Sequence, residues 1–219
     1  MNFVYLRQHN CNFPPPNTAR RDGILAVGGD LRLNTLLKAY KHGTFPWFNE
    51  GEPILWYHPD PRFVLFPDNL IISHSMRNVI NKNQFHFTYN TNFAQTIRNC
   101  RIAKRKGITG ENTWITDEIE TAYSNLFDHG YAHSAETWCQ GKLVGGLYGV
   151  MIGKVFFGES MFTEVNNASK FAFIKMVEFL QKNGVEVIDC QIFSNHLKSL
   201  GADFISREDF CALLKKFIP

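Results

Sequence analysis

The clearest pattern in the chain lies between residues 141 and 162, GKLVGGLYGVMIGKVFFGESMF, where side-chain character alternates with a period of two. That period predicts strands whose successive side chains face opposite ways. Residues 143–150 read as one strand and 154–162 as the next. They join at Met151-Ile152-Gly153-Lys154, with Gly153 where a positive φ costs little. Gly145, Gly146 and Gly149 sit inside the first strand. Glycine weakens a strand, so they predict the close approach of another backbone or a ligand. On the second strand the alternation puts Val155, Phe157, Glu159 and Met161 on one face, and Phe156, Gly158, Ser160 and Phe162 on the other. A carboxylate among Phe and Met is costly without a partner or a task, which singles out Glu159.

A second alternating run, VEVIDCQIF at 185–193, predicts another strand. Val185, Val187, Asp189, Gln191 and Phe193 face one way, and Glu186, Ile188, Cys190 and Ile192 the other. Asp189 and Gln191 are then neighbours on a buried face. The expected pairing is the Gln191 amide NH2 donating to Asp189, which makes the amide oxygen more negative.

Helical spacing recurs elsewhere. Asn34 is expected to cap a helix over 35–42, with Leu36, Leu37 and Tyr40 inward and Gly43 as its stop. Residues 75–81 form a short helix carrying Arg77, with Lys82 after it; 92–103 form a helix with Phe93, Ile97 and Cys100 inward. Thr116 caps 117–128, where Ile119, Ala122, Tyr123 and Leu126 recur at helical spacing and Gly130 ends the run. Asn167 caps a largely buried helix to 182, and a last helix starts at Ser206 with Phe210, Leu213, Leu214 and Phe217 inward. Further strands are expected at 2–6, 63–66, 85–89 and 132–138. Gly28-Gly29 reads as a turn, because neither G-x-G-x-x-G nor Walker spacing surrounds it. The aromatic and proline-rich stretch 43–61 is too irregular for helix. Its Trp47 and Trp56 either line a cavity or plug a seam between a small first domain and the rest.

Composition narrows the class. The 219 residues suit one large domain, or one with a small companion; at 44% hydrophobic, with 20 Phe, a sizeable core can form. A net charge of +3 is mildly basic, compatible with nucleic acid but no proof of it. The cysteines at 11, 100, 139, 190 and 211 are scattered, which implies neither a disulfide framework nor a zinc site and fits a reducing compartment. No apolar run is long enough to span a bilayer, and the N-terminus does not read as a signal peptide.

The order helix, helix, strand, hairpin, long helix, strand, helix predicts an α+β protein and resembles the GNAT-type acyltransferase architecture. LAVGGDL, GTFPWF, ILWYHPDPR, TWIT, GYAHSAETW, LVGGLYGV, FFGESMF, NASK, IDCQ and HLKSLGA follow one another in that order. Together they resemble the bacterial leucyl/phenylalanyl-tRNA–protein transferases, from about residue 25 to 209. FPWF, GESMF and DCQ are specific in combination. The resemblance implies a small N-terminal domain (1–62) and a GNAT-like catalytic domain (63–219) with a mixed sheet flanked by helices. It implies an enzyme that moves Leu, Phe or Met from aminoacyl-tRNA to the N-terminal Arg or Lys of a protein, marking it for degradation. No metal or cofactor is implied; a cytoplasmic monomer is expected.

Carried over motif by motif, the resemblance makes Asp189 and Gln191 the catalytic pair. It puts Glu159 and Met161 at the pocket for the amino-acid side chain and its amine. Trp47 and Trp114 would flank the terminal adenosine, with Tyr40 and Tyr123 nearby. Ser194 is a departure, since some members carry Asn there. Arg77, Lys82, Lys104, Arg105 and Lys106 are candidates for the tRNA backbone by placement alone, and a basic helix end is also simply suited to the macrodipole. The ester donor is already activated, so orientation can supply much of the rate. Gln191, polarised by Asp189, can steer the amine lone pair; the proton can leave by Gln191 or by the neighbouring ribose hydroxyl. Asp189→Ala and Gln191→Ala are expected to abolish transfer and leave the fold nearly intact. An acetyl-CoA enzyme lacks its R/Q-x-x-G-x-G/A loop here. A cysteine enzyme on Cys190 and His196 would need Cys190 on the Asp189 face, and a non-catalytic tRNA-binding module is the third class.

Overall fold

A computed structural model describes residues 3–103 and 114–219. Strands β1 (Tyr5–Leu6), β2 (Ile24–Gly28), β3 (Phe45–Pro46) and β4 (Leu55–Tyr57) form a small sheet in the order β1-β2-β4-β3. The irregular aromatic stretch therefore supplies two short strands, β3 and β4. Helix α1 (Leu33–Lys41) interrupts this sheet between β2 and β3. Its N-cap residue is Arg32 and not the expected Asn34, which lies inside the first turn. Asp30 serves that end instead, accepting from the Arg32 N–H at 3.1 Å and the Thr35 hydroxyl at 2.6 Å.

The larger sheet holds β5 (Arg62–Leu65), β6 (His86–Tyr89), β7 (Ala132–Cys139), β8 (Lys142–Ile152), β9 (Val155–Thr163), β10 (Val187–Gln191) and β11 (Asp203–Ile205). Their order is β11-β5-β10-β9-β8-β7-β6, and the one parallel pair in it is β9–β10. A parallel pair needs a long crossover, supplied by α5 (Ala168–Lys182). The remaining helices are α2 (His74–Asn81), α3 (Phe93–Ile102), α4 (Asp117–Asp128), α6 (Asn195–Lys198) and α7 (Arg207–Phe217). The expected α+β class with a mixed sheet between helices is the one observed.

The sheet has two apolar faces. Phe93 and Ile97 of α3, Ile119 and Tyr123 of α4, and Phe210 and Leu214 of α7 pack on one face, with Tyr40 of α1 and Trp56 of β4. Phe171, Ile174 and Val177 of α5 and Met76 of α2 cover the other. The strand glycines make this packing possible. A Cβ on Gly145 would stand 2.6 Å from the Ala168 Cβ, so helix α5 lies directly on β8 there. A Cβ on Gly149 would stand 2.3 Å from the Phe157 carbonyl oxygen. The close approaches are thus protein backbone and side chain.

Candidate active site

The site begins where the parallel pair separates. β9 and β10 stay in register through Val187↔Val155, Ile188↔Phe156 and Asp189↔Phe157, and no further pair follows. Beyond that point β9 leans on β8 and β10 on β5. Each strand carries a bulge there. Tyr148 pairs with Ser160 and Gly149 with Gly158, so Glu159 is an extra residue on β9. Asp189 pairs with Val64 and Gln191 with Phe63, so Cys190 is extra on β10. Gln191 itself has φ +63°, in the left-handed region that non-glycine residues seldom occupy. Bulges re-aim side chains, and these two bring the Gln191 Nε2 to donate to Glu159 Oε1 at 2.8 Å.

The bulge corrects the expected alternation. Before it, Val155 and Phe157 pack into the α4 face and Phe156 into the α5 face. After it, Met161 packs toward the α5 face and Phe162 toward the α4 face. Glu159 and Met161 therefore do not share a face, because one extra residue inverts every later position.

The expected bond from the Gln191 amide to Asp189 is also replaced. Asp189 is fully buried against a fully buried Arg62, whose Nε donates to Oδ1 at 2.8 Å and whose Nη2 donates to Oδ2 at 2.6 Å. The guanidinium lies over the rings of Phe45 at 4.9 Å and Phe210 at 4.5 Å. The remaining link to Gln191 is through backbone: the Gln191 N–H donates to Asp189 Oδ1 at 2.9 Å. Asp189 thus holds the left-handed turn in shape, and its charge is matched by Arg62. Sequence reading missed Arg62; a lone arginine beside Pro61 carries no periodic signal.

Glu159 has two further contacts behind it. The Tyr40 hydroxyl donates to Oε1 at 2.8 Å, the Tyr123 hydroxyl donates to Oε2 at 3.0 Å, and the two hydroxyls bond one another. Burial pushes the Glu159 carboxyl up to about 7; the bonds from Tyr40, Tyr123 and Gln191 oppose that rise, while the Asp189 charge adds to it. Tyr40 and Tyr123 are completely buried.

A cavity of about 620 Å³ opens in front of this group, within the range of roughly 300–1,000 Å³ usual for ligand pockets. Trp47, Trp114, Glu159, Met161, Gln191 and Ser194 all line it. Tyr40, Tyr123 and Asp189 do not line it and act from behind. The Ser194 hydroxyl accepts from the Leu197 N–H at 3.1 Å, capping α6. The two tryptophans of the proline-rich stretch part company. Trp47 is 38% exposed at the cavity mouth, whereas Trp56 is fully buried and donates its indole N–H to the Gly28 carbonyl at 2.8 Å. Arg77 and Lys82 lie on and just after α2, away from the cavity lining. Lys104, Arg105 and Lys106 lie outside the described residues.

The model for the leucyl/phenylalanyl-tRNA protein transferase family matches residues 64–215, and the model for that family's N-terminal domain matches residues 29–60. The chain belongs to the leucyl/phenylalanyl-tRNA protein transferase family. A relative of that name from Flavobacterium johnsoniae is 53% identical over 93% of this chain and 95% of its own length. Another of that name, from Syntrophobacter fumaroxidans, is 52% identical over 94% of this chain and 88% of its own length. Among solved structures, L-PGS from Bacillus licheniformis aligns with a TM-score of 0.45 at 11% identity, over 75% of this chain and 54% of that one.

Cys190 and His196 line the same cavity as Gln191, so the expected alternation does not keep Cys190 away from it. Cys190 is buried, and burial, with the Asp189 charge, pushes its thiol far above the ordinary range, so it is a poor nucleophile. Among the described residues no group of three or more His, Cys, Asp or Glu side chains is placed to hold a metal, and no helix is long and apolar enough to cross a membrane.

Proposed function

We propose that this transferase moves Leu, Phe or Met from an aminoacyl-tRNA to the N-terminal Arg or Lys of an acceptor protein, as a cytoplasmic monomer, so that the new N-terminus marks the acceptor for degradation. The observation that carries the reading is the Gln191–Glu159 bond at the wall of the cavity where β9 and β10 separate. With its amide N–H committed to Glu159, Gln191 has its oxygen to offer an incoming amine, and can direct the lone pair toward the ester carbon. Holding two reactants so aligned supplies a large part of the acceleration for an already activated acyl group.

Met161 and Phe173, both at the cavity wall, make an apolar bed that suits Leu, Phe and Met alike, because apolar fit separates similar shapes poorly. Trp47 and Trp114 offer faces on which an adenine can stack at roughly 1–3 kcal/mol per base, with no sequence read. Since Asp189 is neutralised by Arg62, attraction for a cationic acceptor falls to Glu159. The test is transfer of radiolabelled Phe from charged tRNA to peptides beginning with Arg, Lys or Ala. Label on the Arg and Lys peptides alone is the expected result; equal labelling of the Ala peptide removes the acceptor assignment, and no labelling removes the reading.

A further inference from the structure

Tyr40, Tyr123 and Glu159 form a closed ring, with Tyr40 bonded to Oε1, Tyr123 to Oε2 and the hydroxyls to one another. Each hydrogen bond needs one proton. Burial and the Glu159 charge hold both tyrosines well above their ordinary range, so each brings one proton at any working pH. With Glu159 ionised, both of those protons point at its carboxylate, and the contact between the hydroxyl oxygens has none. One added proton completes the set. Glu159 Oε2 then donates to Tyr123, Tyr123 to Tyr40, and Tyr40 to Oε1, which also accepts from Gln191. The ring has room for one proton more than its tyrosines supply, and its carboxyl is part of the cavity wall.

Forming a peptide bond from an ester and an ammonium group releases one proton. The N–C bond forms and the C–O ester bond breaks. Of the three ammonium protons, one stays on the amide nitrogen, one goes to the leaving ribose oxygen, and one must go elsewhere. We infer that Glu159 takes that last proton, acting as the general base for the acceptor amine, with Tyr40 and Tyr123 holding its carboxyl in place and the ring closing around the added proton. This rests on the transferase reading of the cavity. A carboxyl with a carboxylate pKa near 4.5 would be a weak base for the task, and burial against apolar neighbours raises Glu159 into a useful range. The charged and titratable groups facing it are Tyr40 from α1, Tyr123 from α4 with Tyr148 of β8 beside it, and Asp189 from β10, whose charge adds to the rise and is itself held by Arg62 of β5.

Two measurements test this. Infrared titration of the free enzyme reads the carboxylic-acid band of Glu159 directly, with Glu159→Gln as the blank. Single-turnover transfer from Phe-tRNA to an Arg peptide, followed against pH, reads its use. The expected band disappears on titration through neutrality, and the rate rises with pH through the same midpoint. Glu159→Gln loses that inflection and slows transfer by roughly 100-fold or more. Tyr123→Phe and Tyr40→Phe each remove a bond to the carboxylate, so the midpoint moves up. An unchanged or lowered midpoint in both variants means that the hydroxyls do not hold the carboxyl, and overturns the ring. A wild-type rate profile in Glu159→Gln, at an unchanged unfolding midpoint, overturns the role as base. Absence of transfer by the wild-type enzyme with any charged tRNA overturns the transferase reading and this role with it, while the infrared band still reports the ring by itself.

Discussion

At the residue scale, Asp189 is the instructive case. The sequence placed it correctly on a buried strand, but its partner comes from residue 62, and no local pattern joins the two. Its partner also changes what a substitution should do. Removing one side of a buried ion pair leaves an uncompensated charge, so Asp189→Ala and Arg62→Ala should each cost about 3–5 kcal/mol. Urea unfolding will read this, and the Asp189→Leu/Arg62→Met double variant should recover much of the loss. The earlier expectation of an intact fold after Asp189→Ala is thereby replaced. The tryptophans give a parallel contrast. Trp56→Ala should destabilise by roughly 3–5 kcal/mol, because it empties a closed core site. Trp47→Ala should change stability by only about 0.5 kcal/mol or less and raise KM for aminoacyl-tRNA. The sequence showed two tryptophans in one proline-rich stretch; only burial separates them.

At the element scale, local chemistry was legible where an element's ends are set by its own residues. Helix α4 runs over the expected span, with the Thr116 hydroxyl accepting from the Ile119 N–H at 3.3 Å. Helix α1 was misread at its start because Asp30, outside the helix, binds its first turn. The bulges on β9 and β10 were not legible, since an extra residue is defined only against the neighbouring strand. They yield a paired prediction. Gly149→Ala should cost about 1–3 kcal/mol and lower transfer, since its Cβ would meet the Phe157 carbonyl at 2.3 Å and disturb the bulge that aims Glu159. Gly158→Ala, whose Cβ would lie 3.5 Å from the Asp189 carbonyl, should stay within about 1 kcal/mol of wild type. Thermal unfolding and the transfer assay distinguish the two.

At the scale of the whole molecule, two buried groups give stability opposite pH slopes. Burial, with Arg62, Arg207 and His42 nearby, depresses His58 from 6.5 to about 3. Between those values the unfolded chain binds the extra proton, so this group's contribution rises with pH. Glu159 is raised from 4.5 to about 7, so over that window the folded state binds the extra proton and its contribution falls as pH rises. Denaturant unfolding between pH 4.5 and 6.5 should therefore show a steeper rise with pH in Glu159→Gln than in wild type. His58→Gln should shift the slope the other way. The sequence by itself determined the α+β class, most strands and helices, and the family, and it named part of the cavity wall, because periodicity, capping and motif order are properties of neighbours along the chain. Tertiary structure alone decided that Arg62 holds Asp189, that Glu159 rather than Asp189 receives the Gln191 amide, and that Tyr40 and Tyr123 close a ring on Glu159. Those contacts join residues 32 to 127 positions apart, and their partners are chosen by strand register and by the bulges, which the chain acquires only when its sheets assemble.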